Sequence, residues 1–198
     1  MKRVIVLIVC LILCSFASGS IAEDPLRIQP GDSGTEWRIV SQTNNGLVTQ
    51  GSSQLYTSYT ATCTGETHGV TVSKSYSASI SGSFGVSLSK IEASLGFQAG
   101  EEFSVSATTT SAPLNAGDTV EIYWTRRYQK TTVVQKQYAW EIINAGTDAN
   151  PILKRVEEVI DTKTAYGYKP VAPEIKLVYY RANSAGQRYI YRIQTLDR

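Results

Sequence analysis

Val70-Thr-Val-Ser-Lys-Ser-Tyr-Ser-Ala-Ser-Ile-Ser-Gly-Ser-Phe-Gly-Val-Ser-Leu-Ser-Lys90 decides how the chain is read. Even positions 70 to 88 are Val, Val, Lys, Tyr, Ala, Ile, Gly, Phe, Val, Leu; odd positions 71 to 89 are Thr, Ser or Gly throughout. A period of two places one set on each face of a β-strand, so one face is largely apolar and the other carries hydroxyls. Past Lys90 the phase reverses. Odd positions 91 to 107 are Ile, Ala, Leu, Phe, Ala, Glu, Phe, Val, Ala, and the even positions between them are mostly polar or Gly.

A two-residue hairpin turn at Ser89-Lys90 accounts for the reversal, because a loop of even length sets even positions opposite odd ones. It pairs Leu88 with Ile91, Val86 with Ala93, Phe84 with Leu95, Gly82 with Phe97, Ile80 with Ala99 and Tyr76 with Phe103. Phe97 over Gly82 is an aromatic-over-glycine pair of the kind that supports a strand. Residues 80–88 and 91–99 then put no charge on the apolar face, nine residues per arm, before Lys74 and Glu101 interrupt it. A transmembrane β-strand needs about 9–11 residues. Apolar residues outward and hydroxyls inward is the pattern of a water-filled membrane barrel. The expected membrane-facing set is Ile80, Phe84, Val86, Leu88, Ile91, Ala93, Leu95, Phe97 and Ala99. The expected lumen face holds Ser79, Ser81, Ser83, Ser87, Ser94 and Gln98. Two alternatives stay open. The hairpin is a fixed part of a sheet with one wet face, or residues near the turn are helical, since Leu88, Ile91, Leu95 and Ala99 share a helical spacing and Ser89-x-x-Glu92 has the form of a capping box. Residues 86–99 coiled as a helix would leave the pore reading with no support from this pattern.

The same alternation runs through the rest of the chain and predicts an all-β fold, mostly antiparallel with long strands and at most one short helix. Trp37 to Ser41 and Leu55 to Cys63 read as strands, and Asn44-Asn45-Gly46 between them as a hairpin turn. Thr119 to Trp140 is one long strand or two, and 152–160 fits strand and helix alike. Lys169 to Glu174, with two prolines, reads as a connector. Ile175–Arg181 and Arg188–Ile193 form a hairpin around Asn183-Ser184-Ala185-Gly186.

Residues 1–22 have a basic start at Lys2-Arg3, an apolar run from Val4 to Leu13 and Ser20-Ile21-Ala22 before Glu23, the form of a secretory signal peptide cleaved near Ala22. The expected organisation is signal peptide 1–22, polar leader 23–35, and one β-rich domain 36–198 with its long hairpin over 70–109. Removing 1–22 takes Lys+Arg from 19 to 17, equal to the 17 Asp+Glu. A near-neutral mature chain lacks the basic excess of a nucleic-acid binder. Cys63 becomes the only cysteine and is expected as a small buried side chain on a strand.

Chemistry is sparse. His68 is the only histidine. No nucleophile elbow, clustered metal ligands or phosphate-cradling loop occurs, so the expectation is a non-catalytic protein without metal or cofactor. Tyr123, Trp124, Arg126, Arg127 and Tyr128 mix aromatic and cationic side chains and are candidates for surface binding, or for an ordinary charged edge strand. Tyr179, Tyr180, Tyr189 and Tyr191, with Arg181, Arg188, Arg192 and Arg198, either present an anion-binding surface or simply stack arginine stems on rings.

The alternating run Thr71–Thr110 and the following Ala112-Pro113-Leu114-Asn115-Ala116-Gly117-Asp118-Thr119-Val120 resemble the stem region of the aerolysin-type β-pore-forming proteins. That resemblance implies an elongated aerolysin-like sheet, with a β-sandwich as the open alternative, a stem that folds against a long sheet before unrolling into a hairpin, a lipid membrane as partner, and a homo-oligomer. The polar tip at Ser89-Lys90 departs from the apolar tip usual in that family, and no separate receptor-binding domain is evident. The remaining alternative is a secreted, non-catalytic surface or binding protein with a static sheet.

Overall fold

The computed structural model describes residues 29–196. The signal-peptide expectation, residues 23–28 of the polar leader and Arg198 lie outside these residues. The fold is all-β and mostly antiparallel with one short helix. Three very long strands form its frame: β1 (Ser33–Thr60), β5 (Thr119–Asn144) and β6 (Leu153–Ala182). The 30 residues of β6 span roughly 100 Å at ~3.3 Å each. β5 lies between β1 and β6, antiparallel to both. The far edge of β6 carries two short partners: β3 (Ser79–Gly82) pairs with 165–168, and β7 (Arg188–Leu196) with 175–182. A separate two-stranded ribbon joins β2 (Gly69–Ser77) to β4 (Glu102–Thr110).

Several local expectations are overturned, each by tertiary pairing. Asn44-Asn45-Gly46 does not turn the chain. Both flanks of β1 pair with the same strand β5, so the extra residues are absorbed as a bulge between Asn44 and Leu47. Gly46 takes the positive φ of 83°, and its N–H donates to Asn44 Oδ1 at 2.8 Å. Lys169–Glu174 is not a connector but part of β6. Its prolines sit where β6 has a gap on its outer edge, between the end of β3 pairing and the start of β7 pairing, so a missing N–H there breaks no ladder on that side. Residues 153–160 are strand, and Thr119–Asn144 is one strand. The C-terminal hairpin around Asn183–Gly186 is present.

Two apolar clusters hold the second layer on the sheet. The first joins Val72 of the ribbon to Val120, Ile122, Trp124, Ile175, Leu177 and Tyr179, with Ala61 and Leu114. The second is Ile91, Val133 and Ala165, surrounded by Ile39, Ile80, Val86 and Leu95. It lies under the segment that connects β2 to β4.

Asp118 closes the turn before β5 and is buried at 2 % exposure. Arg181 grips it with two hydrogen bonds, 2.8 Å to Oδ1 and 2.7 Å to Oδ2, and Tyr191 donates to Oδ2 at 3.1 Å. The Arg181 pair, ahead of lesser hydrogen bonds, holds the Asp118 carboxyl down at about 2.

Candidate functional site

The ribbon β2–β4 obeys the register that a turn at Ser89-Lys90 sets. Tyr76 faces Phe103, Val72 faces Ala107 and Gly69 faces Thr110. Its solvent face carries paired hydroxyls, Thr71 with Thr108 at 2.9 Å and Ser75 with Ser104 at 3.0 Å. Its other face packs on the sheet. Lys74, the charge on that face, sits over the Trp124 and Tyr56 rings, 4.6 and 5.4 Å from their centroids, a cation–π arrangement that tolerates an ammonium among apolar groups.

At Ala78 the ladder stops. Gly100 N–H donates to Ala78 O, and Ala78 N–H donates to Glu101 O; inward of this point the two arms part. The expected hairpin turn at Ser89-Lys90 is not formed. Leu88–Leu95 is instead a helix, α1, and the pairs Ile80–Ala99, Gly82–Phe97, Phe84–Leu95, Val86–Ala93 and Leu88–Ile91 are absent from the strand pairings. The local sequence suits a helix end: Gly96 takes φ 74°, the left-handed C-cap position, and donates to Glu92 O. The N-cap is Ser87 rather than Ser89, without a side-chain cap. Glu92 reaches Ala99 N–H at 3.0 Å instead of closing a capping box.

What decides between hairpin and helix is the sheet below. β3 pairs with β6, Ile80 opposite Gly167 and Ser81 opposite Tyr166. Ile91 is fully buried on Val133 and Ala165. Leu95 and Phe97 settle over Gly167, where any Cβ would stand 2.7 Å from a Leu95 methyl and 3.0 Å from Phe97 Cζ. Trp37 covers Gly85 so closely that a Cβ there would lie 2.2 Å from the ring. Lys163 sits over the same Trp37 ring, 4.8 Å from its centroid, and donates to Phe84 O at 3.2 Å.

Gln135 is the polar centre of this dock. It is fully buried, and all its contacts here go to the backbone of the loop between β3 and α1. Its Oε1 accepts from Gly85 N–H at 2.7 Å and Val86 N–H at 3.1 Å, and its Nε2 donates to Ser83 O at 3.2 Å. Gly85 and Val86 are half-buried, so the clamp supplies partners to N–H groups partly shielded from water. Sequence reasoning missed Gln135, because nothing about a glutamine within a β-strand signals that it clamps a loop some 50 residues earlier.

The expected membrane-facing residues therefore divide. Ile91 and Phe97 are buried and Ile80, Val86 and Leu95 partly buried against the sheet, whereas Phe84, Leu88, Ala93 and Ala99 are exposed. Of the expected lumen set, Ser79, Ser81, Ser83, Ser87 and Gln98 are exposed. Ser94 Oγ is buried with no hydrogen-bond partner among the described residues.

The other candidates also move. Tyr123–Tyr128 is not an edge: β5 is central, and Trp124, Arg127 and Tyr128 are buried. Only Arg126 of the five is exposed. The arginines of the C-terminal hairpin lie over its tyrosines, Arg181 on Tyr191, Arg188 on Tyr180 and Arg192 on Tyr179. His68 stacks on Tyr59, with ring centroids 4.5 Å apart. Cys63 is exposed, not buried, because β1 ends at Thr60. Its thiol donates to Glu66 at 3.0 Å, and Tyr59 and Thr62 donate to the same carboxylate. These donors, Cys63 first, hold Glu66 at about 2, and the same bond raises the thiol.

No protein-family model matches the chain, and the comparison with curated proteins returns no relative.

Proposed function

We propose that the chain is a membrane-active protein of β-pore-forming type in which residues 78–101 leave the sheet and zip into a hairpin continuous with β2–β4. The helix in this segment removes the argument from a preformed hairpin, so the proposal rests on the ladder at its base. That ladder stands in the register of the Ser89-Lys90 turn. Zipping inward from Ala78 to Leu88 would need no register shift, and would bring Ile80, Phe84, Val86, Leu88, Ile91, Ala93, Leu95, Phe97 and Ala99 to one face. Sliding by one residue would instead expose hydroxyls to lipid.

Energetics support a stored rather than a permanent arrangement. The apolar side chains that rest on the sheet in the docked form would rest in hydrocarbon in the inserted form, so their burial cancels to first order. Ser94 Oγ, unpartnered when docked, would face water in the hairpin. A lone hairpin in a bilayer leaves two rows of unpaired backbone groups, and closing a barrel is the way strands satisfy them. Insertion therefore requires several copies of the chain. The helix is too short to cross a membrane, as is every helix among the described residues, so the crossing element would be strand.

The buried Gln135 clamp and Ile91 favour a second reading, a non-catalytic binding protein in which 78–101 never undocks. Dye release from liposomes together with detergent-resistant oligomers separates the two. Leakage that grows with oligomer formation is expected. Absence of both across lipid compositions and pH values leaves the static protein.

A further inference from the structure

The outer edge of β6 is guarded along most of its length. β7 covers 175–182, β3 covers 165–168, and Pro170 and Pro173 stand in the gap between them. From 153 to 164 the strand pairs with β5 on one side and, among the described residues, with nothing on the other. A row of unpaired N–H and C=O groups of this kind is a template for another strand. Its side chains suit burial as well: Leu153, Val156, Val159 and Ile160 are 44, 43, 43 and 51 % exposed.

The sequence along this edge, Ile152-Leu-Lys-Arg-Val-Glu-Glu-Val-Ile160, is self-complementary about its centre. Counting outward from Val156, Arg155 answers Glu157, Lys154 answers Glu158, Leu153 answers Val159 and Ile152 answers Ile160. The backbone keeps the same centre. β6 begins at Leu153, and its ladder with β5 is regular as far as Val159, after which Ile160 is left over as a bulge. Residues 153–159 are therefore one regular run with Val156 in the middle. Lys154 and Glu158 form no ion pair among the described residues. Arg155 and Glu157 belong to a partly exposed network with Glu36 and Arg38.

We propose that this edge is the contact of a two-fold dimer, in which residues 153–159 pair antiparallel with the same residues of a second copy, Val156 opposite Val156. Residues directly opposite in an antiparallel pair share a face of the sheet. Lys154 then meets Glu158 of the copy and Arg155 meets Glu157, each contact made twice because the axis repeats it. Leu153 meets Val159 in the same way, and the sheets of the two copies become continuous. A slip of one residue keeps only Lys154 with Glu157 or only Arg155 with Glu158, and parallel in-register pairing sets like charge on like. Exposed ion pairs contribute little to strength. The charges accordingly fix register and direction, while the ladder and the apolar side chains hold the copies together. So short an edge is small for an interface and sets a weak, reversible association. The dimer uses the docked form of the chain and does not depend on undocking of 78–101.

The test is sedimentation velocity of the full chain without lipid, from low micromolar to near-millimolar concentration. A reversible monomer–dimer equilibrium is expected. Lys154→Glu sets carboxylates against each other on both sides of the axis and should raise the dissociation constant about tenfold or more. Adding Glu158→Lys to that variant restores opposite charges across the axis and should recover most of the loss. Amides of 153–159 should exchange more slowly as the dimer forms. A chain that stays monomeric, assemblies larger than a dimer, a dimer indifferent to Lys154→Glu, or a double variant as weak as the single one overturns the proposal. Because lipid is left out, this result and dye release can each fail alone.

Discussion

Replacing Gln135 by Leu should loosen one segment of the protein and leave the rest in place. The side chain is fully buried and makes three hydrogen bonds, to Gly85 N–H, Val86 N–H and Ser83 O. Each contributes about 1 kcal/mol net, and a buried group left without its partner costs about 1–3 kcal/mol. Leucine fills a similar volume and regains part of this through burial of its own apolar surface. The dock should therefore weaken by about 3 kcal/mol, or roughly a hundredfold in the ratio of undocked to docked chain. Native-state hydrogen exchange reads this directly, since amides that exchange by local opening report the free energy of that opening. Amides of 83–95 should exchange roughly a hundredfold faster, with the central amides of β5 and of β2–β4 unchanged. In the proposed function the same variant should also release dye faster. Uniform acceleration along the whole chain, or none within 83–95, would refute the view of Gln135 as a clamp on this segment.

Other outcomes follow from individual contacts. Gly167→Val should displace Leu95 and Phe97 and cost about 1–3 kcal/mol as an overpacked site, seen as faster exchange in α1 while the sheet signature in circular dichroism persists. Asp118→Asn should lower stability by about 2–3 kcal/mol in urea unfolding, less than for a fully buried pair because Arg181 is partly exposed. Asp118 and Glu66 both have folded pKa values near 2, below those of unfolded carboxylates near 4. Their contribution is thus complete above about pH 5 and lost as pH falls from about 4 toward 2, so the thermal midpoint should drop across that window. Cys63→Ser keeps a donor for Glu66 and should leave the thermal midpoint unchanged.

Parity made the outer ribbon legible. The alternation of hydroxyl and apolar residues from Gly69 to Ser77 and from Glu102 to Thr110 needs only local sequence, and it places Tyr76 opposite Phe103 as found. The same alternation continues to Leu88 and from Ile91, which is why the hairpin extended too far. Leu88, Ile91 and Leu95 satisfy a helical spacing equally well, and the choice is made by Val133, Ala165, Gly167 and Gln135, residues some 40 to 75 positions away. Asn44-Asn45-Gly46 misled for a related reason: a glycine at positive φ serves a bulge as readily as a turn, and only the partner strand decides. Tyr123–Tyr128 carried surface-like residue types but occupies the centre of the sheet, where Trp124 and Tyr128 are core and only Arg126 remains outside.

The central claim is an exchange of partners by one strand, and Ser81 reports on it from both sides. When docked it faces Tyr166 of β6; in the zipped hairpin it would face Gln98. In a Cys63→Ser background, Ser81→Cys can be combined with either Tyr166→Cys or Gln98→Cys and oxidised with and without liposomes. The account predicts that the 81–166 bridge forms in solution and abolishes dye release until it is reduced, and that the 81–98 bridge forms on liposomes and leaves release intact. Full release with the 81–166 bridge closed would contradict it.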